Sequence, residues 1–230
     1  MAINQIQKLL KDSVTLSQNQ VTRFFKIGAG EYSAHDCFMG ITVPTLRKVA
    51  RQYDDIDYNF LQELLDSKFN EERLLSLLIL VSRYKKAKVA EKEKIFLFYL
   101  NNLDRVNNWN LVDASAHLII GAHLLNRDRQ ILDKLALSSN LWHRRIAIVS
   151  TWYFIKNGHT DCTFHIAKTL LFDKEDLIHK ATGWMLREAG KVNIDDLIDF
   201  LETYKNQMPR TMLRYAIEKF DQTQKDYFMK

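Results

Sequence analysis

Apolar residues recur at helical spacing along most of the chain, in alternating shorter and longer segments. The spacing predicts five longer helices, each the second member of a helix pair, over residues 71–85, 108–125, 141–157, 175–190 and 209–220. The shorter first members are predicted over residues 57–67, 88–103, 129–137, 162–172 and 194–206. Asn70 stands where an N-cap is needed, as do Asn107 and Asn108 before Trp109, and Pro209 stands in a first helical turn. The pattern therefore predicts paired helices with short connections.

Composition supports the same fold class. Only 7 glycines and 2 prolines interrupt 230 residues, so strands joined by tight turns are not expected. A hydrophobic content of 47% is enough to form a core that folds without disulfide bonds or structural metal ions. We expect one all-α domain over residues 1–230.

The second helices also form an internal repeat of roughly 32 to 40 residues. When their first turns are superposed, one column contains Arg73, Asp113, Arg145, Lys180 and Arg214. Stacked pairs of this period form a HEAT-like helical repeat solenoid, whose second helices line a concave face used for binding. Cations in that column predict a basic, phosphate-facing stripe. The alternative is that the column marks only the solvent edge of each helix, where long basic side chains reach water.

Charge and cysteine usage narrow the function classes. The chain has 33 Lys and Arg against 28 Asp and Glu, a net charge of +5, which permits a polyanionic partner without requiring one. Cys37 and Cys162 stand far apart, and the histidines lack metal-ligand spacing, so we expect no disulfide, metal or cofactor. The N-terminus lacks a secretory signal and no apolar stretch is long enough to cross a bilayer, so we expect a cytoplasmic location away from membranes.

Two tryptophans accompany the repeat column. Trp109 and Asp113 are four residues apart and share a helical face, and Lys180 and Trp184 repeat that spacing, with Arg187 less than one further turn along. Aromatic faces attract cations, a carboxylate stabilises developing positive charge, and basic residues neutralise phosphates. Such a set suits a cationic reacting centre on a polyanion. The alternatives are ordinary core tryptophans and an aspartate favoured by the helix dipole.

Several long stretches resemble the AlkD family of DNA alkylation-repair glycosylases, and together they cover nearly the whole chain. The matching stretches are FFKIGAGEY, GITVPTLRKVARQY, EERLLSLLILVSRYKK, NNWNLVDASAH, LWHRRIAIVSTWYF, DLIHKATGWMLRE and MPRTMLRYAIEKF.

The resemblance implies metal-independent excision of cationic N3- and N7-alkylated purines from duplex DNA by a monomer. Asp113 would be the catalytic carboxylate, and Trp109 and Trp184 would hold the deoxyribose of the lesion. The DNA-contacting residues would be Arg145 and Arg187 by resemblance, with Lys180, Arg214, Arg73 and Arg47, and with Phe24 nearest to the helix that approaches the minor groove. Two alternatives remain: a non-catalytic paralogue with weak or structure-specific DNA binding, and a protein-interaction scaffold, the commonest use of such repeats.

Overall fold

The computed structural model describes residues 2–230, with side chains from residue 5 onward. The described residues contain helices, turns and one isolated parallel bridge between Cys37 and Phe69, and no strand is present among them. No helix in this part of the chain is long and apolar enough to cross a membrane. The chain divides into two compact units, one ending at Ser115 and one beginning at Ala116. The prediction of an all-α helical repeat is confirmed.

The first unit contains an N-terminal helix, two further helices that precede the predicted repeat, and the first two predicted helix pairs. Its helices are α1 (Ala2–Asp12), α2 (Gln18–Val21), α3 (Val43–Gln52), α4 (Tyr58–Leu65), α5 (Asn70–Lys86), α6 (Val89–Asn101), a 3-10 turn (Leu103–Arg105) and α7 (Trp109–Ala116).

The second unit continues directly from α7 with a π-helix. Its helices are the π-helix (His117–Gly121), α8 (Ala122–Leu124), α9 (Gln130–Ala136), α10 (Leu141–Ile155), α11 (Asp161–Thr169), α12 (Asp176–Gly190), α13 (Ile194–Tyr204), α14 (Arg210–Ala216) and α15 (Gln222–Met229).

Helices are present at all ten predicted positions, and in chain order the predicted pairs correspond to α4 and α5, α6 and α7, α9 and α10, α11 and α12, and α13 and α14. The predicted helix over 108–125 is divided, because its middle turn is π-helical. Helix α14 is shorter than predicted, since regular helix stops at Ala216 and turns follow. Helices α1, α2, α3 and α15 were not predicted. The single domain expected over residues 1–230 stays a prediction.

Helices α3 and α5 run side by side in the same direction. At their beginning, the Glu71 carboxylate accepts hydrogen bonds from the backbone N–H groups of residues 39–41, just before α3. At their other end, the Arg83 guanidinium donates to the carbonyls of Asp54 and Ile56, just after α3. The two anchors fix α3 along the length of α5, so both helices begin at the same edge of the unit.

A glycine lets the chain pass closely in front of α3. Gly40 has a φ of 89°, and its carbonyl accepts the N–H groups of Thr15 and Leu16 at 3.0 and 2.9 Å. A Cβ at this position would lie 2.3 Å from the Leu16 carbonyl oxygen, so a larger residue would break the contact. The close approach brings the segment after α1 against the beginning of α3.

In the second unit, α10 packs beside α12, and α12 beside α14. Gly183 allows the backbones of α12 and α14 to approach, because a Cβ there would lie 2.3 Å from the Met212 carbonyl oxygen. Gly121 has the same role where the π-helix meets α10, at the Ser150 carbonyl. The second helices of this unit therefore lie against one another with backbone contact.

Candidate functional site

A cavity of about 470 Å³ opens in the first unit, between the segment after α2 and the beginnings of α3, α5 and α7. Its walls are mostly aromatic and aliphatic, and its polar groups are few. Four of the predicted site residues line it together: Phe24, Arg47, Trp109 and Asp113. The remaining lining residues are Leu16, Phe25, Phe38, Ile41, Thr42, Val43, Pro44, Asn70, Glu71, Leu74, Asn110 and Ala114.

Helix α7 carries the tryptophan and the carboxylate. The Asn108 side-chain oxygen accepts the Trp109 N–H at 2.7 Å, so the helix begins at the indole, and Asp113 follows one turn later on the same face. Behind α7, the Tyr99 hydroxyl lies 2.9 Å from the Ser115 Oγ. Burial raises the pKa of Tyr99, the hydrogen bond with Ser115 opposes this, and the negative charge of Asp113 adds to it. The phenol therefore stays neutral beside the Asp113 carboxylate.

Aromatic rings form part of the cavity wall. Phe25 stacks on Trp109 with ring centroids 5.1 Å apart and an angle of 21° between the planes. Phe25 also contacts Phe38 at 4.4 Å. Phe24, at the rim, is 63% exposed. Phe25 therefore covers one indole face, and Phe24 presents an apolar ring to solvent beside the cavity.

Two carboxylates, those of Glu71 and Asp113, line the cavity. The Glu71 carboxylate is buried and receives three backbone hydrogen bonds, at 3.0, 2.8 and 3.3 Å, so it holds the chain before α3 in place. Asp113 is half-buried on the cavity wall. Beside it, the amides of Asn70 and Asn110 hydrogen-bond to each other. The arrangement offers one carboxylate, one indole and a pair of amides.

Arg73 differs from the predicted DNA-facing cation. It is 4% exposed, and its guanidinium pairs with Asp36 and donates to the Ser67 carbonyl. The Asp36 carboxylate, whose side chain is fully buried, also accepts from the amides of Asn70 and Asn108, at 3.1 and 2.6 Å. Arg73 is therefore part of a buried polar cluster that ties the loop before α3 to the beginnings of α5 and α7. Its predicted role as a phosphate contact does not fit this environment.

The second unit holds Trp184, whose neighbours the sequence did not indicate. Its indole packs edge-on against Trp152 at 4.9 Å, and Trp152 contacts the His117 ring at 4.5 Å. The Lys156 ammonium lies 3.8 Å from the centroid of the Trp152 ring. The π-helix, α10 and α12 thus contribute one aromatic group each to a row of rings, in which Trp184 is half-exposed.

The predicted cations of the second unit have different environments. Arg145 is buried and donates to the Leu177 carbonyl at 2.6 Å. Lys180 pairs with Asp176 at 2.7 Å, and Arg187 pairs with Glu188 and Glu218. Only Arg214 in this set is exposed. Three of the four therefore have protein partners, which DNA phosphates would have to replace or share.

Among the residues with described side chains, no group of three or more His, Cys, Asp or Glu residues is arranged to hold a metal ion. Metal-independent activity stays a prediction.

Comparison with known proteins bears on the identity of the chain. A family model described as "DNA alkylation repair enzyme" matches residues 6–220. The chain belongs to this DNA alkylation repair family. It is similar in fold to a solved structure titled "Predicted DNA alkylation repair enzyme from Enterococcus faecalis", with a TM-score of 0.67 and 14% identity over 91% of this chain and 98% of that one. No curated protein matches it. Membership of the DNA alkylation repair family gives the chain a role in DNA repair, with DNA as the molecule on which it acts.

Proposed function

We propose that the protein is a DNA glycosylase that excises cationic N3- and N7-alkylated purines from duplex DNA without a metal. The observation that carries this proposal is the cavity of the first unit, where the Asp113 carboxylate lies one helical turn from the Trp109 indole, with Arg47 and Phe24 at the same cavity. The carboxylate can stabilise positive charge that develops on the sugar. The aromatic face attracts the cationic nucleotide, and the cation neutralises its phosphate.

The chemistry requires little from the protein. Alkylation at N3 or N7 gives the purine a positive charge, so the bond between N9 and C1′ breaks with its electron pair passing to the base, which leaves neutral. Positive charge then develops on the deoxyribose, where a carboxylate stabilises it. Water adds to C1′ and loses a proton, and an abasic site remains. Asp113 supplies the charge and can orient the water.

The other predicted residues have supporting roles in this proposal. Trp109 provides an aromatic surface for the sugar, and Phe24 an exposed apolar ring for the minor groove. Trp184 is proposed as the second aromatic residue at the sugar, and Arg145, Lys180, Arg187 and Arg214 as phosphate contacts. Arg47, which is exposed at the cavity rim, is the phosphate contact best supported in the first unit.

Two observations favour a second candidate, the non-catalytic paralogue with weak or structure-specific DNA binding. Phe25 covers one face of Trp109, and Arg73, Lys180 and Arg187 are neutralised by protein carboxylates. Cations that already have carboxylate partners attract phosphates less strongly, so such a protein would bind DNA weakly.

Asp113→Asn tests the catalytic proposal. A carboxylate repels phosphates in the ground state but stabilises positive charge in the transition state. The variant should therefore bind DNA as well as the wild type, or slightly better, and release base about 10- to 1000-fold more slowly. The measurement is single-turnover release of 7-methylguanine from a defined duplex, with affinity measured on the same samples.

Asp12→Asn is the matched control, because it makes the same chemical change at an exposed site on α1. It should leave the release rate unchanged. Equal rates for Asp113→Asn and the wild type would remove Asp113 from the mechanism. DNA binding by the wild type without base release would favour the non-catalytic paralogue.

A further inference from the structure

One short segment of the chain carries a large excess of positive over negative charge. Residues 83–94, RYKKAKVAEKEK, contain six Lys and Arg against two Glu, a net charge of +4, whereas the whole chain carries +5. The rest of the chain therefore carries +1. The segment covers the end of α5, the turn after it and the beginning of α6. We call residues 83–94 the lysine patch.

Not every cation of the lysine patch is equally available. Arg83 holds the loop after α3, and Lys86 pairs with Asp54 at 2.8 Å, which keeps the pKa of that carboxyl below its usual range. Lys92 and Lys94 lie over the rings of Tyr84 and Tyr58. Lys85 and Lys88, in contrast, are both exposed at the turn between α5 and α6. These two lysines are the cations best placed to meet a partner.

Lys85 lies on the face of α5 that lines the cavity. Eleven residues separate it from Leu74, which is close to three full helical turns, so both side chains leave the helix in nearly the same direction. At 1.5 Å per residue the two positions are about 17 Å apart along the helix axis. The cavity and the lysine patch are therefore at opposite ends of one helix face.

Helix α3 supplies cations between these ends. Arg47 lies at the cavity, and Arg51 follows one turn later on the same face; both are exposed. Because α3 runs parallel to α5, Arg51 is displaced from the cavity in the direction of the lysine patch. Arg47 and Arg51 on α3 therefore lead away from the cavity in the same direction as Lys85 on α5, and Lys88 lies in the turn that follows α5. We call these four residues the basic track.

We propose that the basic track binds the phosphate backbone of one duplex arm beside the lesion. A rise of 3.4 Å per base pair makes 17 Å about five base pairs, so the lysines would meet phosphates roughly five base pairs from a nucleotide at the cavity. This inference rests on the proposed function only for the position of the lesion; the contact with duplex DNA rests on the charge and its alignment with the cavity.

A simpler reading is that lysines at the end of α5 only offset the helix dipole and face water. That reading explains Lys85 and Arg51, which lie in the last turns of α5 and α3, but it explains neither Arg47 at the cavity nor the alignment with the cavity. Nor does it explain why one segment carries almost all of the net charge. An acidic protein could also meet such a patch, but the membership of a DNA repair family favours DNA.

The test compares two double variants that remove the same charge. Lys85→Gln with Lys88→Gln alters the basic track, and Lys8→Gln with Lys11→Gln removes two exposed lysines at the same spacing on α1. Binding to an undamaged 24-base-pair duplex is measured over a range of salt concentrations. The track variant should bind about tenfold more weakly near 0.1 M salt, and its log–log salt slope should be smaller by about 2, while the control stays near wild type.

Duplex arms then test the position. In duplexes that carry one alkylated purine at a fixed position, shortening the arm on one side of that purine to three base pairs should remove the difference between wild type and track variant, while shortening the other arm should leave it. Equal affinities and salt slopes for wild type and track variant would overturn the proposal, as would equal losses in both double variants or dependence on both arms alike. A wild type that binds through the basic track but releases no base would contradict the proposed function and leave this inference standing.

Discussion

Replacement of Asp36 tests whether its buried cluster organises the candidate site. The carboxylate has no exposed side-chain surface, pairs with the nearly buried Arg73 and accepts hydrogen bonds from Asn70 and Asn108. Asp36→Ala leaves a buried guanidinium without its counter-charge, which costs about 3 to 5 kcal/mol. Arg73 would keep its bond to the Ser67 carbonyl, but its Nε has no hydrogen-bond partner among the residues that the structure describes. We therefore expect a loss of about 4 kcal/mol in the free energy of unfolding.

Asp36→Asn separates charge from hydrogen bonding. The amide oxygen can still accept a hydrogen bond, but it lacks the negative charge opposite Arg73, so a loss of about 2 kcal/mol is expected. Urea-induced unfolding followed by circular dichroism measures both values. The cluster also holds Asn108, whose side-chain oxygen accepts the Trp109 N–H, so base release should fall in both variants even where they remain folded.

A double-mutant cycle with Arg73→Met provides the decisive comparison. Each single change leaves one buried charge unpaired, whereas the double variant leaves none, so it should lose at least about 2 kcal/mol less than the sum of the singles. Strict additivity would show that the two charges do not depend on each other in the folded protein. A loss below about 1 kcal/mol for Asp36→Ala would refute the buried-charge argument altogether.

Two further predictions concern packing and thiol reactivity. Gly183→Ala gains about 1 kcal/mol of helix propensity but places a Cβ 2.3 Å from the Met212 carbonyl oxygen, so a net loss of about 2 kcal/mol in unfolding free energy is expected; a more stable variant in urea would disprove the close contact. Burial raises the pKa of the Cys162 thiol to about 11, while Cys37 is exposed. At pH 8 a thiol reagent should therefore modify Cys37 quickly and Cys162 only on unfolding, and rapid modification of both would contradict this.

The helix pairs could be predicted because apolar spacing is a local property. An apolar residue every three to four positions predicts a helix wherever the chain later packs it, and the pairs from α4 to α14 followed. The same local geometry placed Trp109 and Asp113 on one face. The π-helix could not be predicted, because residues 117–121 have no sequence signal that distinguishes them from an α-helix.

The environment of the predicted cations depends on partners that are distant in the sequence. Arg73 looks like the other cations of its column, but Asp36, which lies 37 residues earlier in the chain, pairs with it. Phe25 stacks on Trp109 from a segment without helical periodicity, so its position follows from tertiary packing alone. The sequence could therefore indicate which residue types belong to the site, but not which of them other side chains already occupy.

The uneven charge of the chain also has a kinetic consequence. Oppositely charged surfaces orient molecules before they touch, and raise association rates most at low ionic strength. With +4 of its +5 charge in the lysine patch, the protein should meet DNA with this segment first. Weak contact there would let it move along the duplex while the cavity samples successive nucleotides. The lysine patch would then act mainly before recognition, setting how fast a lesion is found rather than how fast it is cleaved.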